Sequence, residues 1–208
     1  MKVMQLLPEL NSGGVERGTL EIARALVAQG HTSLVVSNGG RMVNQLEAEG
    51  STHLKLAIHK KSLSSLWQIR PLRQLIMQHQ PDIVHVRSRV PAWLTHFSLK
   101  GIPAEKRPHL ISTVHGFYSV NRYSQIMTQA EKVIAVSDSV VKYIRDHYQN
   151  CPPEDIVRIY RGIDPAAFPH GYQPSAQWMQ QTYQDFPELE HKFLICLPGR
   201  ITRLKGHE

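Results

Sequence analysis

The sequence predicts an α/β fold, a doubly wound parallel sheet of the Rossmann-like type. Short apolar or β-branched runs alternate with longer segments of helical period, which is the pattern of a parallel sheet with helices on both faces. The 208 residues, 41% of them hydrophobic, suffice for one complete α/β domain and part of another. In such a sheet the ligand crevice lies beyond the carboxyl ends of the strands, so functional residues are sought there.

Strands are predicted where a short apolar or β-branched run is bounded by turn residues. Six such runs span residues 2–7, 31–37, 52–58, 82–88, 109–115 and 132–137, and residues 155–164 are a candidate for a seventh. Each run is followed by a segment that suits a helix or a loop. We therefore expect the strands to pair in parallel through crossover connections.

The helices are predicted from apolar residues at helical spacing. Residues 14–30 form the first, which Gly30 ends. Its apolar side consists of Val15, Leu20, Ile22, Ala23, Leu26 and Val27. Residues 42–49 form a short helix, and residues 63–79 form an amphipathic one that Pro71 should kink or split. The apolar stripe of this last helix consists of Leu63, Leu66, Trp67, Leu72, Leu75 and Ile76.

The domain organisation is predicted from a change in composition near residue 170. Residues 1–170 form one Rossmann-like domain, and residues 171–190, rich in Pro, Gln and aromatic residues, form a linker with one short helix. Residues 191–208 would supply the first strand, KFLICLPGR, and the first turn of a second domain. Because no partner strands follow, we expect the chain to be truncated at Glu208, naturally or otherwise.

Composition limits the partners and the compartment. Lys and Arg outnumber Asp and Glu by 24 to 17, and the formal charge of +7 favours anionic partners. Scattered basic residues without a zinc or RNA-binding signature disfavour nucleic acid. Two distant cysteines and the lack of a signal-peptide or membrane-spanning pattern indicate a cytoplasmic protein. Residues 63–79 fit either packing against the sheet or peripheral association with an anionic membrane at its inner face.

A glycine turn follows the first predicted strand, in NSGGVERG. Gly13 and Gly14 lack Cβ atoms, so a phosphate or a sugar could lie against main-chain N–H groups at a helix N-terminus. A tight turn without a ligand is the alternative. The spacing differs from G-x-G-x-x-G, and Thr19 stands where a phosphate-binding loop of an ATPase carries Lys, so neither dinucleotide binding nor an ATPase is expected.

Polar residues at other predicted strand ends are further candidates. His115 ends a strand and could donate a hydrogen bond to a sugar hydroxyl or a leaving group, or could simply bond a nearby carbonyl. An anionic acceptor could be bound by basic and hydroxyl residues that follow two other strands, namely Arg87, Ser88, Arg89, Lys60 and Lys61. Solvated surface positions are the alternative for each.

Arg200 and Lys205 lie five residues apart in PGRITRLKG, after the last predicted strand. A planar guanidinium and a mobile ammonium suit the oxygens of one diphosphate, and exposed solvated cations are the alternative. No D-x-D sequence or metal-ligand spacing occurs, so neither a metal site nor a cofactor is predicted. The sequence also lacks a serine-hydrolase elbow and a close carboxylate pair.

Taken together and in order, the segments ELNSGGVERGTLEIARAL, STVHG, VIAVSDSV, RGID and PGRITRLKG resemble family 4 glycosyltransferases of the GT-B fold. SNGGR, HKKS and VRSRVPAW are most similar to bacterial members that build lipopolysaccharide core or other surface glycans. The resemblance spans essentially the whole chain. It implies two facing Rossmann-like domains, of which residues 1–170 match the first, on the acceptor side.

The resemblance also implies a retaining, metal-independent transfer from a nucleotide-sugar donor to a glycan or glycolipid acceptor, without a cofactor. Gly13 and Gly14 would approach the donor phosphates, Arg200 and Lys205 would neutralise the diphosphate leaving group, and His115 would lie near the transferred sugar. The paired glutamates of the second domain would lie beyond Glu208, so this chain alone should be inactive.

One residue departs from the family pattern: Arg161 stands in RGID where many relatives carry Asn, which weakens a donor-side role for that position. Two other functions stay open on the same scaffold. One is a noncatalytic phosphoglycan-binding domain, and the other is a nucleotide-sugar epimerase.

Overall fold

The computed structural model describes residues 1–197, 199, 201 and 206. The chain divides into two compact units, Met1–Arg161 and Gly162–Glu208. The first contains the entire sheet. The predicted domain assignments, with boundaries at residues 170 and 190, stay predictions.

A single seven-stranded sheet organises the first unit. Its strands are β1 (Lys2–Leu6), β2 (Thr32–Ser37), β3 (Thr52–Lys55), β4 (Ile83–Val86), β5 (His109–Val114), β6 (Lys132–Ala135) and β7 (Ile156–Arg158). The spatial order is β3-β2-β1-β4-β5-β6-β7, and each neighbouring pair is parallel. The order reverses direction at β1, as in a doubly wound sheet, so the predicted fold class is confirmed and the candidate seventh strand is present.

Helices connect the strands and cover the sheet. They are α1 (Gly14–Ala28), α2 (Val43–Ala48), α3 (Ile69–His79), α4 (Arg89–Lys100), α5 (Arg122–Gln125) and α6 (Asp138–His147), with α7 (Ala176–Asp185) in the second unit. Two of them begin with serine caps, because Ser137 and Ser175 accept hydrogen bonds from the backbone N–H groups of Val140 and Trp178. Within the described residues, no helix is long and apolar enough to cross a membrane.

Alternation along the strands divides the core into two clusters. Leu34 and Val36 of β2 belong to the larger cluster, whereas Val35 between them belongs to the smaller one. The smaller cluster also contains Leu20 and Leu46 from α1 and α2. Because successive residues of a strand point to opposite faces, both faces of the central strands are buried, which explains their continuous apolar runs.

The predicted helix at residues 63–79 divides as expected near its proline. A 3-10 helix at Leu63–Gln68 precedes α3, and Pro71 lies in the first turn of α3, where its missing N–H needs no partner. The predicted apolar stripe is wrong at its beginning, since the side chains of Leu63 and Trp67 are 85% and 81% exposed. Leu66 is also exposed, and only the α3 part packs on the core, through Leu72 and Ile76.

Two further predictions need correction. Ile22 on the predicted apolar side of α1 is exposed, because it lies to one side of the buried residues Thr19, Leu20 and Ala23. Residues 192–197 carry no assigned strand, although KFLICL was predicted to form one. A strand needs a paired neighbour for its backbone groups, and the structure describes none for this segment. The short helix predicted before it is present as α7.

The two cysteines lie in different surroundings. Cys151 is buried in the larger core cluster, and burial, with a smaller contribution from Asp155, raises the pKa of its thiol to about 11. Cys196 is an exposed free thiol in the second unit.

Candidate functional site

The glycine turn joins the carboxyl end of β1 to α1. Gly13 has a φ of 142°, which side chains rarely tolerate, and its carbonyl accepts the first helical hydrogen bond from the backbone N–H of Arg17 at 3.0 Å. A polar cavity of about 310 Å³ lies beside the turn. It is lined by Asn11, Ser12, Gly13, Arg17, Arg41, Met42 and Gln45. Glycine is therefore required here by the backbone, whether or not a ligand approaches.

Arg87 follows β4 and is 4% exposed, so the solvated alternative for this residue is wrong. Its Nη1 donates a hydrogen bond of 2.9 Å to Oε1 of the fully buried Gln5. The amide nitrogen of Gln5 donates in turn to the carbonyl of Thr19 in α1 at 3.2 Å. These two hydrogen bonds fix the guanidinium of Arg87 beneath the first turns of α1. The Nε of Arg87 has no hydrogen-bond partner in the described residues.

Burial and, to a smaller extent, the nearby charge of Arg161 lower the pKa of Arg87 to about 10, and Glu21 opposes the shift. The side chain nevertheless stays protonated at neutral pH. Within the described residues, Arg87 forms no ion pair with a carboxylate. In the part of the chain that the structure describes, the positive charge at the carboxyl ends of β1 and β4 is therefore compensated by the dipole of the Gln5 amide and by Glu21, which forms no ion pair with it.

Arg161, at the end of the first unit, approaches the same helix from the exposed side. Its Nη2 donates a hydrogen bond to the carbonyl of Gly14. A Cβ atom added to Gly14 would lie 2.7 Å from Nη1 of Arg161, so the guanidinium would have to move to admit a side chain. The space left by this glycine is therefore occupied by a guanidinium.

His115 follows β5 and is half-buried. Neither of its ring nitrogens has a hydrogen-bond partner in the part of the chain that the structure describes, so the predicted alternative, a histidine bonded to a carbonyl, is wrong. Burial, followed by the charges of Arg87 and Arg161, lowers the pKa of His115 to about 3. The imidazole is therefore neutral at physiological pH, with one N–H donor and one acceptor nitrogen.

A second histidine, His85, is buried on the neighbouring strand β4. The Nε2 of His85 is 2.7 Å from Oγ1 of Thr113, and burial, followed by Arg87 and His115, lowers the pKa of His85 to about 3. Two neutral histidines therefore lie in the field of Arg87. We did not anticipate His85, because a histidine within an apolar strand gives no signal of what it faces.

Arg89, two residues after Arg87, is held differently. It begins α4, its Nη1 donates to Oγ of Ser124 at 3.2 Å, and its guanidinium lies 5.0 Å and 5.4 Å from the ring centres of Tyr118 and Tyr123. Ser88, half-buried, lies at the N-cap of α4, where its side chain makes no capping hydrogen bond. Aromatic rings thus hold this cation at the mouth of the sheet.

Lys61 shares an aromatic partner with Arg89, since its Nζ lies 4.4 Å from the ring centre of Tyr123. Beside it is an apolar groove of about 420 Å³. The groove is lined by Lys61, Ser62, Leu63, Ser65, Leu66, Val90, Trp93, Leu94, Phe97 and Tyr123. Lys60 is exposed and does not line this groove. Of the predicted acceptor-binding residues, Arg89 and Lys61 are brought together around Tyr123, while Arg87 belongs to the α1 side.

Arg200 and Lys205, the predicted diphosphate-binding pair, lie outside the described residues, and their roles stay predictions. Among residues 1–197 and the three isolated residues that follow, no group of three or more His, Cys, Asp or Glu side chains could hold a metal ion. The sequence reasoning missed Gln5, whose signal was a polar residue within an apolar strand. It treated Arg161 only as a departure from a pattern.

Residues 12–167 match the model of the family described as Glycosyltransferase Family 4. A glycosyltransferase from Rickettsia africae is similar in structure, with 29% identity and a TM-score of 0.78 over 97% of this chain and 53% of that one. Alr3699/HepE from Anabaena, in complex with UDP and glucose, is 19% identical, with a TM-score of 0.66 over 89% of this chain and 50% of its own.

The lipopolysaccharide outer core galactosyltransferase WaaB, in its apo form, is 16% identical, with a TM-score of 0.64 over 79% of this chain and 46% of its own. The chain thus spans about half the length of these solved structures. At 19% and 16% identity, the similarity to HepE and WaaB shows only that the fold is shared. No curated protein matches the chain.

Proposed function

The chain belongs to glycosyltransferase family 4, and from this premise we propose that it is part of a retaining glycosyltransferase. The proposed enzyme moves a sugar from a nucleotide-sugar donor to a glycan or lipopolysaccharide-core acceptor. The observation that carries the proposal is His115, a neutral imidazole whose two buried ring nitrogens have no partner in the described residues, at the carboxyl end of β5. A ligand hydroxyl could satisfy either nitrogen.

The donor half of the proposal combines backbone and side-chain charge. The N-terminus of α1 and the N–H groups at Gly13 and Gly14 would approach the diphosphate, and Arg200 and Lys205 would neutralise it as it leaves. No metal ion or cofactor is needed in this scheme, since the cations take the charge of the leaving group. HepE, which shares the fold, has been crystallised with UDP and glucose, which supports a nucleotide sugar as donor.

The acceptor half uses the cations at the mouth of the sheet. Arg89 and Lys61, held on aromatic rings, and the neighbouring Ser88 and Lys60 would bind hydroxyl and anionic groups of an acceptor glycan. The lipopolysaccharide galactosyltransferase WaaB, similar in fold, suggests the class of acceptor. A glycolipid acceptor would place the enzyme on the cytoplasmic side of the membrane, in peripheral contact with it.

His115 has a defined task in this reaction. Departure of the diphosphate leaves an oxocarbenium-like sugar, and attack by the acceptor on the same face retains the anomeric configuration. A neutral imidazole that donates to a sugar hydroxyl or accepts from one orients the ring without adding a second positive charge beside that cation. The low pKa of His115 fits this requirement, because a protonated imidazole would repel the sugar.

The test uses the polypeptide of the complete reading frame, incubated with nucleotide sugars and lipopolysaccharide-core acceptors. We expect acceptor-dependent release of the nucleoside diphosphate and a product anomer, observed by NMR, that matches the donor. His115→Ala should lower kcat by about a hundredfold, the usual effect of losing one such hydrogen bond. His109→Ala, at an exposed histidine, is the matched control and should leave kcat unchanged.

Other results would contradict the proposal in distinguishable ways. Turnover of the nucleotide sugar without acceptor would indicate an epimerase, and saturable glycan binding without turnover would indicate a binding domain. Wild-type kcat for His115→Ala would remove the assigned role of this residue. The 208-residue chain by itself should show no turnover, because it spans only about half the length of the similar glycosyltransferase structures.

A further inference from the structure

Two guanidinium groups converge on one patch of α1, at positions where the helix carries glycine. A Cβ atom placed on Gly18 would lie 3.0 Å from Nη2 of Arg161 and 3.1 Å from Nη2 of Arg87. One turn earlier, Nη1 of Arg161 fills the space beside Gly14. Arg161 and Arg87 are separated by more than seventy residues in sequence, yet they face each other across the first turns of one helix.

This arrangement is electrostatically unfavourable by itself. Each guanidinium carries a permanent positive charge, and the two lie close enough that the charge of Arg161 lowers the affinity of Arg87 for its proton. Arg87 is almost completely buried, and its Nε has no partner. Neither arginine forms an ion pair with a carboxylate of the described residues. A buried cation beside a like charge calls for a compensating anion.

Glu16, in the first turn of α1, lies beside Gly13 and forms no ion pair with either arginine in the described residues. The patch lies on the first turns of the fifteen-residue helix α1, whose N-terminus carries a partial positive charge. The neighbouring His85 and His115 are neutral and contribute no negative charge. Glu21, exposed on the next turn of α1, is the acidic group that acts on Arg87, and it does so at a distance.

The two arginines are also held in place. Gln5 fixes Arg87 from within the sheet by a hydrogen bond of 2.9 Å, and the carbonyl of Gly14 fixes Arg161 from the exposed side. Each guanidinium keeps further N–H groups for a ligand, because it carries five donors. Planar guanidinium forks match the paired oxygens of a phosphate or a carboxylate.

We propose that Arg87 and Arg161 form an anion-binding site on the first turns of α1, which takes a phosphate or carboxylate group of a substrate. The proposal deepens and rests on the proposed transferase function, and it adds Arg161, which that function did not use. The anion has two possible sources, namely the diphosphate of the donor and an acidic group on the acceptor glycan. The site is separate from the aromatic-held pair Arg89 and Lys61.

The experiment measures binding by the 208-residue chain, so it does not depend on turnover. Inorganic phosphate, UDP and glucose 6-phosphate are titrated calorimetrically, with glucose as the uncharged match. The NMR signals of the His115 ring are followed in parallel. We expect phosphate to bind and to shift those signals, because an anion between the arginines reduces the positive field at His115. Glucose should do neither.

Three variants test whether Arg87 and Arg161, and not other basic residues, bind the phosphate. Arg161→Asn should weaken phosphate binding by about tenfold, the effect of losing one charge-assisted hydrogen bond. Arg87→Lys, which keeps the charge and loses the fork, should weaken it similarly, with circular dichroism to check folding. Arg145→Asn, an equal charge change at an exposed position of α6, is the matched control and should bind as the wild type does.

The ligands identify the source of the anion. If UDP binds more tightly than glucose 6-phosphate, and Arg161→Asn weakens the binding of both, the site is assigned to the donor diphosphate. The reverse order would assign it to an acidic acceptor. Phosphate binding that is absent, or unchanged in Arg161→Asn, overturns the anion site while leaving the transferase proposal untouched, since that proposal is tested by turnover.

Discussion

Arg87 and Arg89 are two residues apart in the sequence, yet the fold gives them opposite surroundings. The guanidinium of Arg87 is buried and bonded to the amide of Gln5, with a second arginine nearby. The guanidinium of Arg89 is half-buried and lies over the rings of Tyr118 and Tyr123. The end of β4 and the start of α4 therefore direct two identical side chains into a polar region and an aromatic region.

The difference concerns how firmly each cation is positioned. A hydrogen bond to a buried amide fixes both the distance and the orientation of Arg87, because a misdirected donor would leave a buried charge unsatisfied. Contacts with aromatic faces depend weakly on orientation, so Arg89 can adjust its position at small expense. We infer that the Arg87 region suits one defined small anion, whereas the Arg89 region suits an acceptor of variable shape.

The largest expected effect comes from removing the anchor of Arg87. Gln5→Leu leaves the guanidinium without its buried acceptor, and we expect the free energy of unfolding to fall by about 3 kcal/mol. Chemical denaturation measures it. Gln45→Leu, at an exposed glutamine whose side chain donates a hydrogen bond to the carboxylate of Glu49, should change the free energy of unfolding by less than about 0.5 kcal/mol. Similar small losses in both variants would contradict the proposed anchoring.

Lowering the pH is expected to have an effect of intermediate size on the free energy of unfolding, through the histidines near Arg87. The pKa of His115 is lowered to about 3 in the folded state, whereas 6.5 is its ordinary value, so the unfolded chain binds the extra proton first as pH falls. The stabilisation is fully present above pH 6.5 and is lost progressively between pH 6.5 and 3. Each such histidine contributes a slope of about 1.4 kcal/mol per pH unit.

Between pH 6.5 and 5 the free energy of unfolding should therefore fall with a slope to which His85 and His115 both contribute. His115→Asn should remove about half of that slope in denaturation curves measured at several pH values. His96 on α4, whose pKa is lowered by burial and by Lys100, provides the comparison near the aromatic region, and His96→Asn should remove less. Equal slopes in the wild type and His115→Asn would show that His115 titrates normally.

The smallest expected effect concerns the aromatic region. Tyr123→Leu removes the ring shared by Lys61 and Arg89, and we expect a loss of about 1 kcal/mol in the free energy of unfolding, measured by denaturation. Tyr123→Phe keeps the ring and should resemble the wild type. If both variants lose the same stability, the hydroxyl group and not the ring holds the two cations.

The sheet was accessible to sequence reasoning because its central strands are buried on both faces. Continuous apolar runs mark such strands clearly, and all seven predicted positions carry a strand. The two edge strands, β3 and β7, were predicted too long. β3 ends at Lys55 instead of residue 58, and β7 spans only Ile156–Arg158, because an edge strand ends where its one neighbour stops pairing.

The segment before α3 shows what periodicity cannot reveal. Leu63, Leu66 and Trp67 continue the helical spacing of the buried residues Leu72 and Ile76, but no element covers them within the described structure. A periodic stripe records that one side of a helix is apolar, and it does not record whether another element lies opposite. The same pattern therefore predicted burial correctly for one half and wrongly for the other.

The candidate site was predictable only where it follows directly from strand ends. His115, Arg87 and Gly13 were found in this way, since the topology brings the carboxyl ends of the strands to one edge. The contact between Arg161 and Gly14 joins residues 147 positions apart, and no local pattern contains it. Gln5 gave a weak signal as the one amide in an apolar strand, but its partner Arg87 could not be named from sequence.

The contrasting environments of the two thiols make selective chemical labelling feasible without mutagenesis. Cys151 is enclosed by the core and holds its proton to high pH, so it presents little thiolate to an electrophile. Cys196 is exposed, so a maleimide fluorophore should attach there alone among the two. A single dye in the second unit would then report on that part of the chain, while the first unit and its arginine pair stay chemically unmodified.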